Sequence, residues 1–120
     1  MICRIWHGYT TDNNADTYEN LLKEEIFVGI KNRNINGYKG IQLLRRHLNF
    51  ETEFITIMWF DSLDSVKEFA GNDYEKAVVP DKAQKVLSHF DKRSQHYEIK
   101  EQAPLFLDFR SDKKKLPNLI

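Results

Sequence analysis

The sequence predicts a single α+β domain of the ferredoxin-like type, in which a four-stranded antiparallel sheet carries helices on one face. The chain has 120 residues, close to the usual size of one domain. Its segments follow the order strand, helix, strand, strand, helices, strand, which is the split βαβ pattern. A composition of 41% hydrophobic and 30% charged residues, with only 5 Gly and 3 Pro, is typical of a folded globular protein.

The first strand and helix are predicted from a change in periodicity near Thr11. Between Ile2 and Thr10 the residues alternate, with Cys3, Ile5 and His7 on one side of a strand and Ile2, Arg4 and Trp6 on the other. Thr11 to Asn14 then supply turn and capping residues. Apolar residues follow at helical spacing: Tyr18, Leu21, Leu22 and Ile26.

The next two strands are predicted to form a β-hairpin, with segments Gly40 to Leu48 and Glu53 to Phe60 joined by a polar turn. The second strand has large residues on both faces: Phe54, Thr56, Met58 and Phe60 against Ile55, Ile57 and Trp59. A strand without a polar face is typical of burial on both sides.

The second half of the chain is predicted to be helical up to a last strand. Asp61 or Ser62 caps a helix that ends at Gly71. Further helical segments are predicted from Asp73 to Val78 and over the positions Ala83, Val86, Leu87 and Phe90. Alternation from Ser94 to Lys100 predicts the fourth strand.

The chain is divided into a ferredoxin-like domain over residues 1–103 and a C-terminal extension over residues 104–120. In the extension Leu105, Leu107 and Phe109 alternate after Pro104. This pattern is consistent with an added edge strand or with a segment that reaches a neighbouring molecule.

Charge and cysteine content exclude several classes of protein. Eighteen basic and eighteen acidic residues cancel, so the chain has no general attraction for nucleic acid or for an anionic membrane. The single Cys3 cannot form an internal disulfide, which favours a reducing compartment. With no signal-peptide pattern and no long apolar run, we expect a cytoplasmic protein.

A homodimer is predicted because helices cover only one face of the sheet. We expect Trp6 and Arg4 on the uncovered face, where they would belong to the interface between subunits. At ~25 cal/mol per Å², ~600 Å² of apolar sheet represents ~15 kcal/mol of gross driving force before the costs of association.

His7 is the candidate catalytic residue, because an imidazole on a rigid strand can accept a phenolic or enolic proton near neutral pH. The alternative is a hydrogen-bonded structural histidine. Trp59 and Phe69 could form the walls of a pocket, with Tyr9, Tyr74 or Tyr97 orienting a ligand, although core packing explains these residues equally well.

Metal and cofactor chemistry have no support in the sequence. The histidines His7, His47, His89 and His96 do not form a close-spaced ligand motif, and Cys3 has no CxxC partner. No phosphate-binding glycine loop and no catalytic serine motif stands out. We therefore expect neither a metal nor a cofactor.

Several short segments resemble the antibiotic biosynthesis monooxygenase-like family. They are the opening Ile2-Cys3-Arg4-Ile5-Trp6-His7-Gly8, the segment Phe54 to Ser62, the run Phe69-Ala70-Gly71-Asn72-Asp73, and His96-Tyr97-Glu98. The likeness covers roughly Met1 to Lys100 and implies a dimeric α/β barrel built from two sheets.

The functions implied by this resemblance range from cofactor-free oxygenation of polycyclic phenols to haem degradation. The haem-degrading relatives use Asn, Trp and His at positions that His7, Phe69 and Val79 occupy here, which argues against haem degradation. The leading hypothesis is a cofactor-independent monooxygenase acting on a small aromatic or polyketide-like compound. The alternative is a non-catalytic homodimer that binds a small apolar ligand or has a structural role.

Overall fold

The structure is a computed structural model that describes residues 1–103. Its strands and helices are, in chain order, β1 (Ile2–Thr11), a 3-10 turn (Asp12–Asn14), α1 (Ala15–Leu21), a π-helical turn (Leu22–Ile26), α2 (Phe27–Asn32), β2 (Tyr38–His47), β3 (Glu51–Phe60), α3 (Leu63–Ala70), α4 (Asp81–Gln84), β4 (His89–Phe90) and β5 (Gln95–Glu98). Within residues 1–103, no helix has the length and apolar character needed to cross a membrane.

The sheet is antiparallel with β1 at its centre. β3 pairs with β1 along its whole length, from Ile2 opposite Phe60 to Thr11 opposite Glu51. β2 pairs with the outer edge of β3, whereas the short strands β4 and β5 share the other edge of β1. This architecture confirms the predicted ferredoxin-like α+β fold, including the hairpin of β2 and β3.

The even-numbered residues of β1 and β3 face the helices. Trp6 and Phe54 pack in one core cluster with Tyr18 and Leu22 of the long helical segment. A second cluster joins the other end of β3 to α3, and its buried members are Ile35, Met58, Phe60, Val66 and Phe69. Helices therefore cover one face of the sheet along its whole length.

The position of α3 follows from its two ends. The hydroxyl of Ser62 accepts a hydrogen bond from the backbone N–H of Ser65 at 3.3 Å, as expected for an N-cap. Gly71 ends the helix with φ of 92°, a conformation that glycine adopts without a steric penalty. The predicted helix over these residues is confirmed.

The two helical segments predicted after α3 are wrong in extent. Residues 73–78 contain turns and a single bridge between Lys76 and Arg93, and α4 ends at Gln84. Phe90 lies in β4, because residues 88–91 pair with the free edge of β1: Ser88 N–H donates to the Tyr9 carbonyl, and Asp91 N–H donates to that of His7. Residues 88–91 therefore satisfy backbone groups on the free edge of β1 and do not continue the helix.

The predicted extension over residues 104–120, with Leu105, Leu107 and Phe109, lies outside the described residues. The fourth predicted strand lies inside them and is confirmed as β5, which is shorter than the predicted Ser94 to Lys100.

Candidate functional site

A small cavity lies between the helix-covered face of the sheet and the helices. It has a volume of about 60 Å³, larger than the water-sized voids that native cores usually contain. Its walls are mostly apolar and include Trp6, Tyr18, Leu22, Met58, Phe69 and Ala83. We refer to this space as the inner cavity.

An open groove of about 430 Å³ adjoins the inner cavity and runs between α2 and the segment that precedes α4. The two spaces share the wall residues Ile26, Ile30, Phe69, Val78 and Pro80, so they lie side by side between the same elements. Gly29 lies on the groove, and a side chain added there would meet no atom within 4 Å. We refer to this space as the outer groove.

A π-helical turn forms part of both walls. Leu22–Ile26 interrupts the long helix, and its residues Leu22 and Ile26 line the inner cavity. Such turns are rare, and they occur frequently at functional sites because they displace side chains from regular helical positions. The irregular turn therefore coincides with the cavity.

Arg4 is the one charged side chain among the described residues that line the inner cavity. It is 3% exposed, and its Nη1 donates to the Tyr74 carbonyl while its Nη2 donates to the Lys76 carbonyl at 2.9 Å. Its guanidinium also lies 5.4 Å from the centre of the Phe69 ring. Burial lowers the pKa of Arg4 to about 10, so the guanidinium stays charged at neutral pH.

Two buried polar atoms near Arg4 have no hydrogen-bond partner within residues 1–103. One is the hydroxyl oxygen of Ser94, a residue that is 3% exposed and lines the inner cavity. The other is Nδ1 of His96, whose Nε2 lies 3.0 Å from Arg4 Nη1. Burial, and secondarily the charge of Arg4, lowers the pKa of His96 to about 4. His96 is therefore neutral at pH 7.

The assignment of Arg4 and Trp6 to the uncovered face is wrong. Trp6 packs beneath the helices, and its indole N–H donates to the Asp91 carbonyl at 2.7 Å. Alternation along β1 correctly separated the residues of its two faces. Because both faces carry bulky residues, alternation did not determine which face the helices cover. The interface role predicted for Arg4 and Trp6 fails because the chain itself buries both residues.

The six residues predicted for catalysis and the pocket do not lie together. Phe69 lines the inner cavity and Tyr74 packs against its cluster, both on the helix side. The remaining four are on strand positions of the opposite face: His7, Tyr9, Trp59 and Tyr97. The sheet separates the two groups, so they cannot form a single pocket.

His7 lies with a carboxylate on the uncovered face. Its Nδ1 is 3.2 Å from Asp91 Oδ2, within ion-pair distance but without the alignment of a hydrogen bond. Tyr9 stacks on His89 at 4.2 Å between ring centres and donates to Glu53 Oε2 at 3.2 Å. Arg46 also pairs with Glu53 and, together with the Tyr9 hydrogen bond, holds the pKa of that carboxyl below its usual value. This end of the uncovered face is polar.

The opposite end of the uncovered face is apolar. Trp59 lies beside Cys3, and its indole N–H donates to Gln42 Oε1 at 3.1 Å. Tyr97, on the other side of Cys3, is 56% exposed.

Among the described residues, no group of three or more His, Cys, Asp or Glu side chains could hold a metal ion.

Sequence reasoning missed the importance of Ser94 and the role of Arg4 on the helix side. Ser94 precedes a four-residue strand and has no periodic context that would assign its side chain to a face. Arg4 lies between apolar residues on one face of β1, and this position was the one indication in the sequence that its charge would be buried. A charged residue on a strand face that becomes buried must find polar partners or a ligand.

Comparison with known proteins gives a similarity of fold. No family model matches the chain, and no curated protein matches it in sequence. A crystal structure from Bacillus cereus, provisionally described as an antibiotic biosynthesis monooxygenase, is similar with a TM-score of 0.59 and 10% identity. The match covers 85% of this chain and 95% of that one. At this identity the likeness establishes the ferredoxin-like α+β fold and nothing finer.

Proposed function

We propose that this protein binds a small, largely apolar molecule in the inner cavity and the outer groove. The observation that carries the proposal is that the two spaces adjoin and share the walls formed by Ile26, Ile30 and Phe69. Ligand sites are typically concave, mostly apolar and supplied with a few polar groups, and the volume of the outer groove lies within their usual range of roughly 300 to 1,000 Å³.

The binding role is favoured over catalysis by His7, because His7 lies on the other face of the sheet. Among the described residues that line the inner cavity, none is a histidine, aspartate or glutamate that could accept a proton from a ligand. Of the alternatives raised by the sequence, binding without catalysis has the stronger support.

Gly29 offers a direct test of ligand binding. A Cβ at this helical position would meet no atom within 4 Å, so we expect a leucine side chain to extend into the outer groove, and leucine suits a helix better than glycine. We expect N-phenyl-1-naphthylamine, a neutral fluorescent probe, to bind the native protein. Gly29→Leu should weaken binding about tenfold or more, equivalent to about 1.4 kcal/mol.

Gly29→Ala is the matched control, since it adds one carbon and should leave probe binding nearly unchanged. Equal affinities of the native protein and Gly29→Leu would place the probe elsewhere and contradict the proposal. Native mass spectrometry of the purified protein, followed by dissociation, would identify any small molecule that copurifies.

Cofactor-independent oxygenation of a phenolic compound is the second candidate function. It is favoured by the fold likeness to the Bacillus cereus protein and by the aromatic residues of the inner cavity. In such a reaction a phenol and dioxygen yield a quinone and water. Oxygen uptake with the copurifying compound tests it, and His7→Ala should leave that uptake unchanged, because His7 lies on the other face of the sheet from the inner cavity.

We also propose that two copies pack through the uncovered face. In the part of the chain that the structure describes, no helix covers this face, and Leu44 and Tyr97 are 44% and 56% exposed on it. Ile5, Ile55 and Ile57 are incompletely buried at its centre. The formal net charge is zero, so two copies do not repel each other strongly.

Sedimentation equilibrium at ~10 μM tests the dimer. A dimer with a Kd of about 1 μM, equivalent to about 8 kcal/mol of binding, would be mostly assembled at this concentration. We expect the native chain to be dimeric and Ile57→Lys, at the centre of the uncovered face, to be monomeric. Val28→Lys, at an exposed helix position, should leave the dimer intact. A monomeric native protein would contradict the proposal.

A further inference from the structure

The inner cavity contains a buried positive charge that the described part of the chain does not neutralise. No carboxylate of residues 1–103 forms an ion pair with Arg4, although seven other lysine and arginine side chains do have such partners. An unpaired buried charge costs several kcal/mol even after relaxation. Backbone carbonyls reduce this cost but do not supply a negative charge.

The guanidinium of Arg4 has hydrogen-bond donors to spare. Arginine has five N–H donors and no acceptor. Nη1 is directed to the Tyr74 carbonyl and to His96 Nε2, and Nη2 to the Lys76 carbonyl. Nε–H and the second Nη2 hydrogen have no acceptor in residues 1–103, so a ligand could receive two further hydrogen bonds from this group.

Ser94 supplies a second, independent observation. Ser94 lines the same cavity, and its hydroxyl is buried and lacks a partner within the described residues. Its backbone is held in place by a hydrogen bond from Ser94 N–H to the Glu75 carbonyl at 2.6 Å. A buried hydroxyl without a partner is uncommon in native proteins, and a bound ligand would explain it.

We propose that the inner cavity binds the carboxylate of a small apolar acid, with Arg4 and Ser94 as its donors and the apolar part of the ligand extending past Phe69 into the outer groove. This inference rests on the proposed binding function and specifies its ligand class. An ionised carboxylate has only acceptors, which match the free donors of a guanidinium and a hydroxyl.

The size and charge of the inner cavity favour a carboxylate over a phosphate. One guanidinium carries a single positive charge, and a phosphate monoester near neutral pH carries close to two negative charges. The volume of about 60 Å³ also limits the group that enters. The rest of the ligand meets apolar walls formed by Met58, Phe69 and Ile26.

Octanoate and 1-octanol form a matched pair of probes, because they share the chain length and differ in the charged head. Each is titrated against the N-phenyl-1-naphthylamine complex at pH 7.5. We expect octanoate to bind about tenfold or more tightly than 1-octanol. Arg4→Met, which keeps the length of the side chain, should remove this preference while leaving 1-octanol binding in place.

Ser94→Ala is a second variant that removes an unpartnered buried hydroxyl and should fold normally. We expect it to weaken octanoate about fivefold and to leave 1-octanol unchanged, as for the loss of one hydrogen bond to a charged group. Should Arg4→Met fail to fold, the preference of Ser94→Ala for octanoate decides the question.

The outcomes separate the two proposals. If the fluorescent probe binds in a Gly29-dependent manner but octanoate shows no advantage over 1-octanol, the carboxylate inference is wrong and the binding function stands. An unchanged octanoate preference in both Arg4→Met and Ser94→Ala would also overturn the inference. If the probe itself does not bind, the proposed function fails and the carboxylate inference fails with it.

Discussion

Arg33 and Phe69 connect the long helical segment to α3 at the rim of the outer groove. The guanidinium of Arg33 lies 5.3 Å from the centre of the Phe69 ring and donates to the Phe69 carbonyl at 3.2 Å. A second donor reaches the Glu68 carbonyl at 3.1 Å. Arg33 therefore satisfies carbonyls in the last turn of α3, which have no partner inside their own helix.

Replacing Arg33 should destabilise the fold. We expect Arg33→Met to lower the free energy of unfolding by about 1 to 2 kcal/mol, since it removes hydrogen bonds to two carbonyls and a cation–π contact. The free energy of unfolding of Arg33→Lys should lie between those of the native protein and Arg33→Met, because an ammonium cannot satisfy both carbonyls in the same planar geometry. Urea denaturation measures the effect, and Lys31→Met, at an exposed position of α2, is the control. Equal losses for Arg33→Met and Lys31→Met would contradict the role given to Arg33.

Gly37 should not tolerate a side chain. Its φ is +86°, and a Cβ would overlap the hydroxyl of Ser65 in α3. We expect Gly37→Ala to cost about 2 to 3 kcal/mol, the sum of backbone strain and overpacking. Gly40→Ala is the matched control, because φ there is +144° but a Cβ would meet nothing within 4 Å. If both variants lose the same stability, the contact with Ser65 contributes nothing.

The N-cap of α3 provides a third test. Ser62→Ala removes the side-chain acceptor for the Ser65 N–H and should cost about 1 kcal/mol. Ser62→Asp keeps an acceptor and adds a favourable charge at the helix N-terminus, so its stability should stay close to that of the native protein. Thermal unfolding of the two variants checks this, and a similar loss in both would show that capping does not explain the effect.

The extended strands were predictable because their pattern is long. β1 and β3 each have ten residues, and a run of that length rich in β-branched and aromatic residues and bounded by turn residues indicates a strand. α3 was predictable because its cap, apolar stripe and terminal Gly71 agree with one another. Local sequence determined these elements, so the order of elements and the fold class followed.

The candidate site was not predictable in the same way. Alternation separates Trp6 from His7 but cannot say which of them faces the helices, because both faces of β1 carry large side chains. That choice depends on which face the helices pack against in three dimensions. The apolar spacing of Ala83, Val86 and Leu87 predicted a longer helix than the one observed. The difference again depends on tertiary structure, because the residues that follow hydrogen-bond to the free edge of β1.

His96 should make the stability of the protein depend on pH. The Arg4 guanidinium has only donors, so His96 Nε2 acts as acceptor at 3.0 Å and Nδ1 carries the proton of the neutral ring. Protonating Nε2 would remove this acceptor and place two positive charges together. Burial and the neighbouring Arg4 therefore lower the pKa of His96 to about 4, whereas Glu75 has a weaker, opposite effect.

The sign of this pH dependence follows from proton linkage. An unfolded chain binds a proton at His96 near its ordinary pKa of about 6.5, whereas the folded chain does so only near 4. Between these values the unfolded state binds more protons, so stability present above pH 6.5 is lost as the pH falls toward 4. His96→Gln stays neutral and should lose less stability over this interval, while carboxylates such as Glu53 titrate in both proteins. Urea midpoints at pH 7.5, 6.0 and 4.5 measure the difference, and parallel curves for the two proteins would show that His96 is not the titrating group.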